Sequence, residues 1–172
     1  MAEIRKEKDF IDAVVSVRRV TKVTKGGKRF SFSAFVVSGD QHGKIGIALG
    51  KSNEVSSAIS KATLKARKTM IEVPLRSTTV PYNVSGRHGS CLVIIRAAYK
   101  GTGVIAGGSV RSVMEALGIK DVLAKSLGSA NQLNVVKATL NALAKLRTAQ
   151  DIAKLRGKTV EQLIKGSHVS AK

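Results

Sequence analysis

The chain has 172 residues, 43% of them apolar, and a formal net charge of +19 from 30 Lys and Arg against 11 Asp and Glu. That apolar share supports a packed core and excludes a disordered basic tail, and no apolar run approaches the ~18 residues of a membrane span. Cys91 is the single cysteine, which excludes an internal disulfide and a cysteine-based metal site and fits a reducing, cytoplasmic setting.

The charge is spread along the chain. Residues 1–75 hold 15 basic and 7 acidic side chains, and residues 76–172 hold 15 and 4. Stretches 13–39, 73–114 and 122–150 contain no acid. Such a field repels itself unless a polyanion neutralises it. Both halves are therefore expected to face nucleic acid, and no membrane is expected as a partner. The first residues include Glu3, Glu7 and Asp9 and lack an apolar h-region, so no secretory or transit signal is expected.

In chain order, Ile11, Ala13, Val15 and Val17 alternate, and the apolar phase then shifts to Val20 and Val23, which predicts a strand with a bulge near Arg18-Arg19. A tight turn follows at Gly26-Gly27, crowded by Lys22, Lys25, Lys28 and Arg29. The turn explains the glycines but not the cations, whose counterion must come from outside the chain. Residues 30–37 alternate as a second strand. After a turn at 39–43, Ile45, Ile47 and Leu49 predict a third, completing a three-stranded antiparallel meander. Ser52 or Asn53 can cap a helix whose Val55, Ala58, Ile59, Ala62, Ala66 and Met70 share a face. Lys61, Lys65 and Lys68 line another face, read as a nucleic-acid contact because of the net charge. A short strand over 70–73 and the pair Pro74 and Pro81 mark a boundary.

The second half alternates strand and helix. Strands over 80–85 and 91–97 are predicted, joined by a tip at 86–89 that presents Arg87 and His88. A glycine-rich loop spans 101–108. A helix over 109–117 follows, with Ser109 as cap and Gly118 as C-terminal stop. A strand over 122–127 leads to a long helix ending near Leu146, with Leu133, Val136, Leu140 and Leu143 on its apolar stripe. A weakly helical tail over 151–165 is broken at Arg156-Gly157.

Two motifs imitate nucleotide sites. Gly50-Lys51-Ser52 resembles the end of a P-loop, but position 45 is Ile45 and the residues between alternate as a strand. Gly101, Gly103 and Ala106 fit a dinucleotide fingerprint with Asp121 twenty residues on. However, Asp121 precedes the next strand instead of closing it, and too little chain follows for a doubly wound sheet. Close backbone packing explains these glycines better than a cofactor does. His42, His88 and His168 are scattered, and no paired carboxylates or metal-ligand spacing stand out, so neither an enzyme nor a cofactor is expected. With no Trp and only Tyr82, Tyr99 and four Phe, base stacking has few rings to use. Backbone and shape recognition of structured RNA by Lys and Arg suits the chain better, although charge alone leaves duplex DNA open.

The ordered motifs GGKRFSFSA (26–34), GKIGIALGK (43–51) and KARKTM (65–70) resemble the bacterial small-subunit ribosomal protein five family. So do GTGVIAGG (101–108) with Arg111, VLAK (122–125), Gly128-Ser129 with Asn131, NVVKAT (134–139), and RGK (156–158) with Val160-Glu161. The resemblance runs in register from about residue 10 to 165. It departs from the family at Gln132 and Leu127, where proline and an aromatic are common.

The resemblance implies an α+β fold: a double-stranded-RNA-binding-like domain over 10–74 and a C-terminal βαβα domain over 75–148 with a left-handed crossover. A flexible N-terminus (1–9) and a partly helical tail (149–172) flank them. It also implies a structural, ribosome-bound role in assembly and translational accuracy. The implied partners are small-subunit ribosomal RNA and ribosomal proteins four and eight, with messenger RNA nearby. Gly103 and Arg111 match positions at the interface with protein four. The expected RNA contacts are Arg18, Arg19, Lys22, Lys25, Gly26, Gly27, Lys28, Arg29, Lys61, Lys65, Lys68, Arg87 and His88, joined by Lys51, Lys125, Ser129 and Asn131 from the family motifs. Without the resemblance, a non-ribosomal basic architectural protein binding nucleic acid stays open.

Overall fold

The computed structural model describes residues 10–165; the expected flexible N-terminus and His168 lie outside them. β1 (Ile11–Thr24) and β2 (Gly27–Gly39) form a long antiparallel hairpin, and β3 (Lys44–Ser52) pairs along β2. After α1 (Val55–Lys68), β4 (Ile71–Glu72) pairs with the start of β3. The expected short strand thus becomes a fourth, edge strand of the meander, in the order β1-β2-β3-β4.

Period-two alternation gives this sheet two different faces. Ala34, Val36, Ala48, Gly46 and Gly50 face α1, whose Ala58, Ala62 and Ala66 are fully buried. A Cβ at Gly46 would overlap the Ala66 carbonyl, and one at Gly50 the Ala58 carbonyl, so small residues on both sides let helix and sheet close together. The opposite face carries Phe35, Val37 and Ile45 into the main core.

The second sheet has the order β5-β6-β8-β7, built from β5 (Val84–His88), β6 (Cys91–Ala97), β7 (Val104–Ile105) and β8 (Val122–Gly128). β7 and β8 are parallel and α2 (Gly108–Leu117) connects them, giving the βαβ unit. α3 (Gln132–Leu143) packs on β5 and β6. Val110, Val113, Met114 and Leu117 of α2 share one apolar cluster with Phe35, Val37 and Ile45 and with Val93, Ile95, Val136 and Leu143. The turn after β2 closes the C-terminus of α2: Gln41 N donates to Ala116 O at 3.1 Å and Gly43 N to Leu117 O at 3.2 Å. The described residues end in α4 (Ala149–Arg156), opened by a capping box of Thr148 and Asp151, and α5 (Val160–Lys165). Gly157 terminates α4 in the left-handed conformation.

The fold class is the one the sequence predicts, but several local expectations are corrected. The register of β1 shifts between Val14 and Ser16, not near Arg18-Arg19, and Val15 packs against the core. The hairpin turn is Lys25-Gly26, since Gly27 already pairs with Thr24. Gly27 at φ 129° is the position that requires glycine. α1 is preceded by Glu54 with no side-chain cap, because strand pairing runs on through Ser52 to Phe32. α2 starts at Gly108 behind Gly107, so Ser109 lies inside its first turn. β5 begins only at Val84 and continues through Arg87 and His88, leaving Gly89-Ser90 as the tip. α3 stops at Leu143; the turns that carry the chain to Leu146 have shorter-range hydrogen bonds.

Candidate nucleic-acid interface

The core covers only part of the inner face of the first sheet. Beyond Phe35 and Leu49 that face is open, and the register sets its chemistry rung by rung. Arg18 lies opposite Ser33, which lies opposite Lys51. Val20 pairs with Ser31, and Lys22 with Arg29. Alternation therefore places four cations and two hydroxyls on one surface, with Ser16 at its inner end. The start of α3 forms the wall. A pocket of about 150 Å³ is lined by Ser16, Arg18, Val20, Ser33, Asn131 and Leu133 among others. A shallower depression of about 420 Å³ continues outward past Lys22, Ser31, Lys51, Ser52 and Asn53.

Ser129 and Asn131, expected as RNA contacts, shape this wall. The Ser129 hydroxyl accepts from Asn131 N at 3.3 Å, and Asn131 Oδ1 accepts from Leu133 N at 3.1 Å, capping α3. The wall is consequently the positive end of a helix dipole, which adds to the potential of the lysines and arginines. Arg18 from the first half and Asn131 from the second meet at one pocket, a convergence that sequence spacing does not announce. No motif marks the floor serines Ser31 and Ser33 in the sequence; only the strand register, which seats Ser33 between Arg18 and Lys51, reveals them.

The other expected cations divide by surface. Lys25, Gly26, Gly27 and Lys28 form the hairpin end, beyond the groove. Arg19 is on the α1 side of the sheet, its guanidinium 4.6 Å from the Phe30 ring centroid. Lys61, Lys65 and Lys68 are exposed on α1, and Lys61 Nζ reaches Ser52 Oγ at 3.4 Å. The sheet thus separates the lysine row of α1 from the groove. Among the described residues the ion pairs are Arg67–Asp12 at 2.6 Å and Lys44–Glu72 at 3.9 Å, so none of the expected RNA-contact cations has an acidic partner there.

Arg87 and Lys125 stand elsewhere, on the face of the second sheet turned away from α3. Arg87 lies opposite Leu92, which lies opposite Leu127, and Lys125 lies opposite Ile94. With exposed Leu123 and Ile105 alongside, this surface is aliphatic with cations at intervals. His88 ends β5 beside the tip, and Arg87 Nε donates to Gly89 O at 3.2 Å.

The glycine-rich loop has a different construction. Asp121 is only 4% exposed, and its Oδ1 accepts from Gly101 N at 2.8 Å and from Gly103 N at 3.2 Å. The Thr78 hydroxyl is the strongest influence holding its carboxyl below the usual aspartate range, followed by the Gly103, Gly101 and Thr102 amides, against the opposing effect of burial. The amide hollow in which such a loop would cradle a phosphate is filled by the chain's own carboxylate. The Gly101/Asp121 spacing that imitates a dinucleotide site is this internal contact. Gly50-Lys51-Ser52 likewise lies in β3, with Gly50 under α1 and not in a phosphate loop. Gly103 and Arg111 do come together: Arg111 Nη2 donates to Val104 O at 3.1 Å, next to Gly103. No group of three or more His, Cys, Asp or Glu placed to hold a metal occurs among the described residues, and no helix there is long and apolar enough to cross a membrane.

An α+β frame of two sheets around one core, with open strand and helix surfaces whose cations lack acidic partners among the described residues, has the character of a basic, polyanion-binding protein. Family comparison makes this specific. The ribosomal protein S5 N-terminal domain matches residues 10–74 and the ribosomal protein S5 C-terminal domain matches residues 86–156. A small ribosomal subunit protein uS5 from Syntrophobacter fumaroxidans is 54% identical over 153 residues, covering 89% of this chain and 92% of the relative. Proteins of the same name from Lawsonia intracellularis and Flavobacterium psychrophilum are each 52% identical over 155 residues, covering 90% of this chain and 95% and 89% of the relatives. The chain belongs to the ribosomal protein S5 family, which is structural and not enzymatic.

Proposed function

We propose that the protein fixes RNA helices of the small ribosomal subunit against one another, gripping phosphates with the β1–β2 finger and the groove behind it. As a member of its family it is a structural constituent of the small subunit that associates with small-subunit ribosomal RNA. The observation that carries the proposed mechanism is the row of cations Arg18, Lys22, Arg29 and Lys51 on one open sheet face, none of them paired with an acid among the described residues. Phosphate contacts there release counterions, while the projecting turn sets placement. Family membership leaves no ground for the non-ribosomal architectural reading.

The finer assignments belong to this proposal. Residues 10–74 act as a double-stranded-RNA-binding-like unit, 75–148 as a second unit, and 149–172 as a tail. The edge formed by Gly103 and Arg111 serves ribosomal protein four in the family pattern, and ribosomal protein eight is a further neighbour; the aliphatic outer face of the second sheet also suits a protein contact. Messenger RNA lies nearby, and the particle is cytoplasmic. Lys125, within that aliphatic surface, suits a protein contact at least as well as a phosphate.

The test is the double reversal Lys25→Glu and Lys28→Glu. Binding to small-subunit ribosomal RNA should weaken, and the slope of log K against log salt should fall by about 1 for each phosphate that the finger no longer neutralises. The thermal midpoint of the isolated protein should not fall. An unchanged slope and affinity would remove the finger from the mechanism.

A further inference from the structure

We propose that the 99–103 turn is a preorganised protein-docking element, with Tyr99 as its anchor and Asp121 as its positioning residue. The proposal rests on the reading of the Gly103/Arg111 edge as a protein contact.

Tyr99 is 91% exposed, more than any other large hydrophobic side chain among the described residues. It does not sit on a loose loop. Thr102 N donates to Tyr99 O at 3.2 Å and Thr102 Oγ1 to the same oxygen at 2.8 Å, closing the turn. From behind, the buried Asp121 carboxylate takes the Gly101 and Gly103 amides. The same segment is tied to the linker between the sheets, since Lys120 N and Asp121 N both donate to Thr78 O, at 2.9 and 3.1 Å. Gly103 O accepts from Val122 N at 3.1 Å, fixing the far end. A rigid turn therefore presents one aromatic ring to solvent. The fixed backbone spares the entropy of ordering the loop on docking and leaves only the ring's own torsions to settle, and tyrosine with arginine makes the usual anchors of protein interfaces.

The choice of protein over RNA follows from Asp121. An RNA phosphate approaching the turn would compete for the same amides with a carboxylate already in place, and the two anions would repel each other. Gly101 and Gly103 take φ of 96° and 77°, which the turn itself requires of glycine, and they leave bare backbone facing open space. Lys100, the residue after Tyr99, is exposed, and so is Arg111, whose Nη2 donates to Val104 O just past the turn. The fitting partner surface is an apolar cleft for the phenol with carboxylates at its rim.

The test places a photo-crosslinker in assembled small subunits, as Tyr99→p-benzoylphenylalanine and separately as Arg111→p-benzoylphenylalanine. A small-subunit protein adduct from position 99 is expected. Adducts to RNA, or none, from 99 with a protein adduct from 111 would overturn the anchor and leave the interface reading intact; RNA adducts from both would overturn both. In the free protein, Asp121→Ala should speed amide exchange at Gly101 and Gly103 at least about tenfold, and should lower the yield from position 99 without lowering affinity for ribosomal RNA. Asp121→Asn, which keeps an acceptor oxygen, should restore part of each effect. Unchanged exchange at both glycines, or an unchanged yield, would overturn the positioning role.

Discussion

A single carboxylate decides what the glycine-rich loop can do. Asp121 lies where its Oδ1 meets two loop amides and where Thr78 adds a hydroxyl. These partners favour the charged form, so the folded pKa lies below the ordinary value of 3.8. For an acid with a depressed pKa, the stabilising contribution is present above the unfolded pKa and lost as pH falls through the folded one. The Gly101 and Gly103 amide signals should therefore hold still from pH 7 to about 5 and move together only below the ordinary aspartate range. An NMR titration of those two amides checks this, and a common midpoint above that range would contradict it. The sequence reveals the residues and their spacing but attaches the wrong meaning to them. Twenty residues of separation look the same whether an acid faces a ribose or folds back into the loop, and only the pairing of β7 with β8 tells them apart.

Elements show the same division between what alternation reveals and what it hides. The strands over 30–37, 45–49, 91–97 and 122–127 and the helices after 53, 108 and 131 are legible because apolar periodicity survives in one dimension. Their ends are less legible, since strand pairing can override a good cap. Ser52 looks like a helix start but stays in β3 because Phe32 is there to pair with it. Gly26-Gly27 looks like a turn centre, whereas the backbone places Lys25-Gly26 at the bend and leaves Gly27 in the ladder. The glycines of β3 carry a sharper prediction. Gly50→Ala would drive a Cβ into the Ala58 carbonyl, which is backbone and cannot rotate away. Overpacking of this kind costs about 1–3 kcal/mol, and for a chain of this size each kcal/mol lowers the melting temperature by about 2–4 °C. Thermal unfolding of the variant should show that loss; an unaltered midpoint would mean that α1 does not lie as close to β3 as described.

The whole molecule is organised by sidedness. Net charge is readable from composition, and it points to a polyanion before any element is placed. Which cations act together is not readable, because a one-residue change of register exchanges the faces of a strand. The shift between Val14 and Ser16 sets which side of the sheet Arg18 and Lys22 occupy. Because of it they share the groove with Arg29 and Lys51, while Arg19 joins the side that carries α1. Nor does spacing reveal that α3 begins beside Arg18, where Asn131 closes the groove.

The groove carries most of the proposed grip on RNA, and retention on the particle tests it. Protein carrying Arg18→Glu, Lys22→Glu and Lys51→Glu should assemble poorly and wash from small subunits during sedimentation at about 0.5 M salt, a concentration at which screening weakens phosphate contacts. The unaltered protein should stay bound, and the triple variant should remain folded when free. Equal retention of the two proteins would contradict the account.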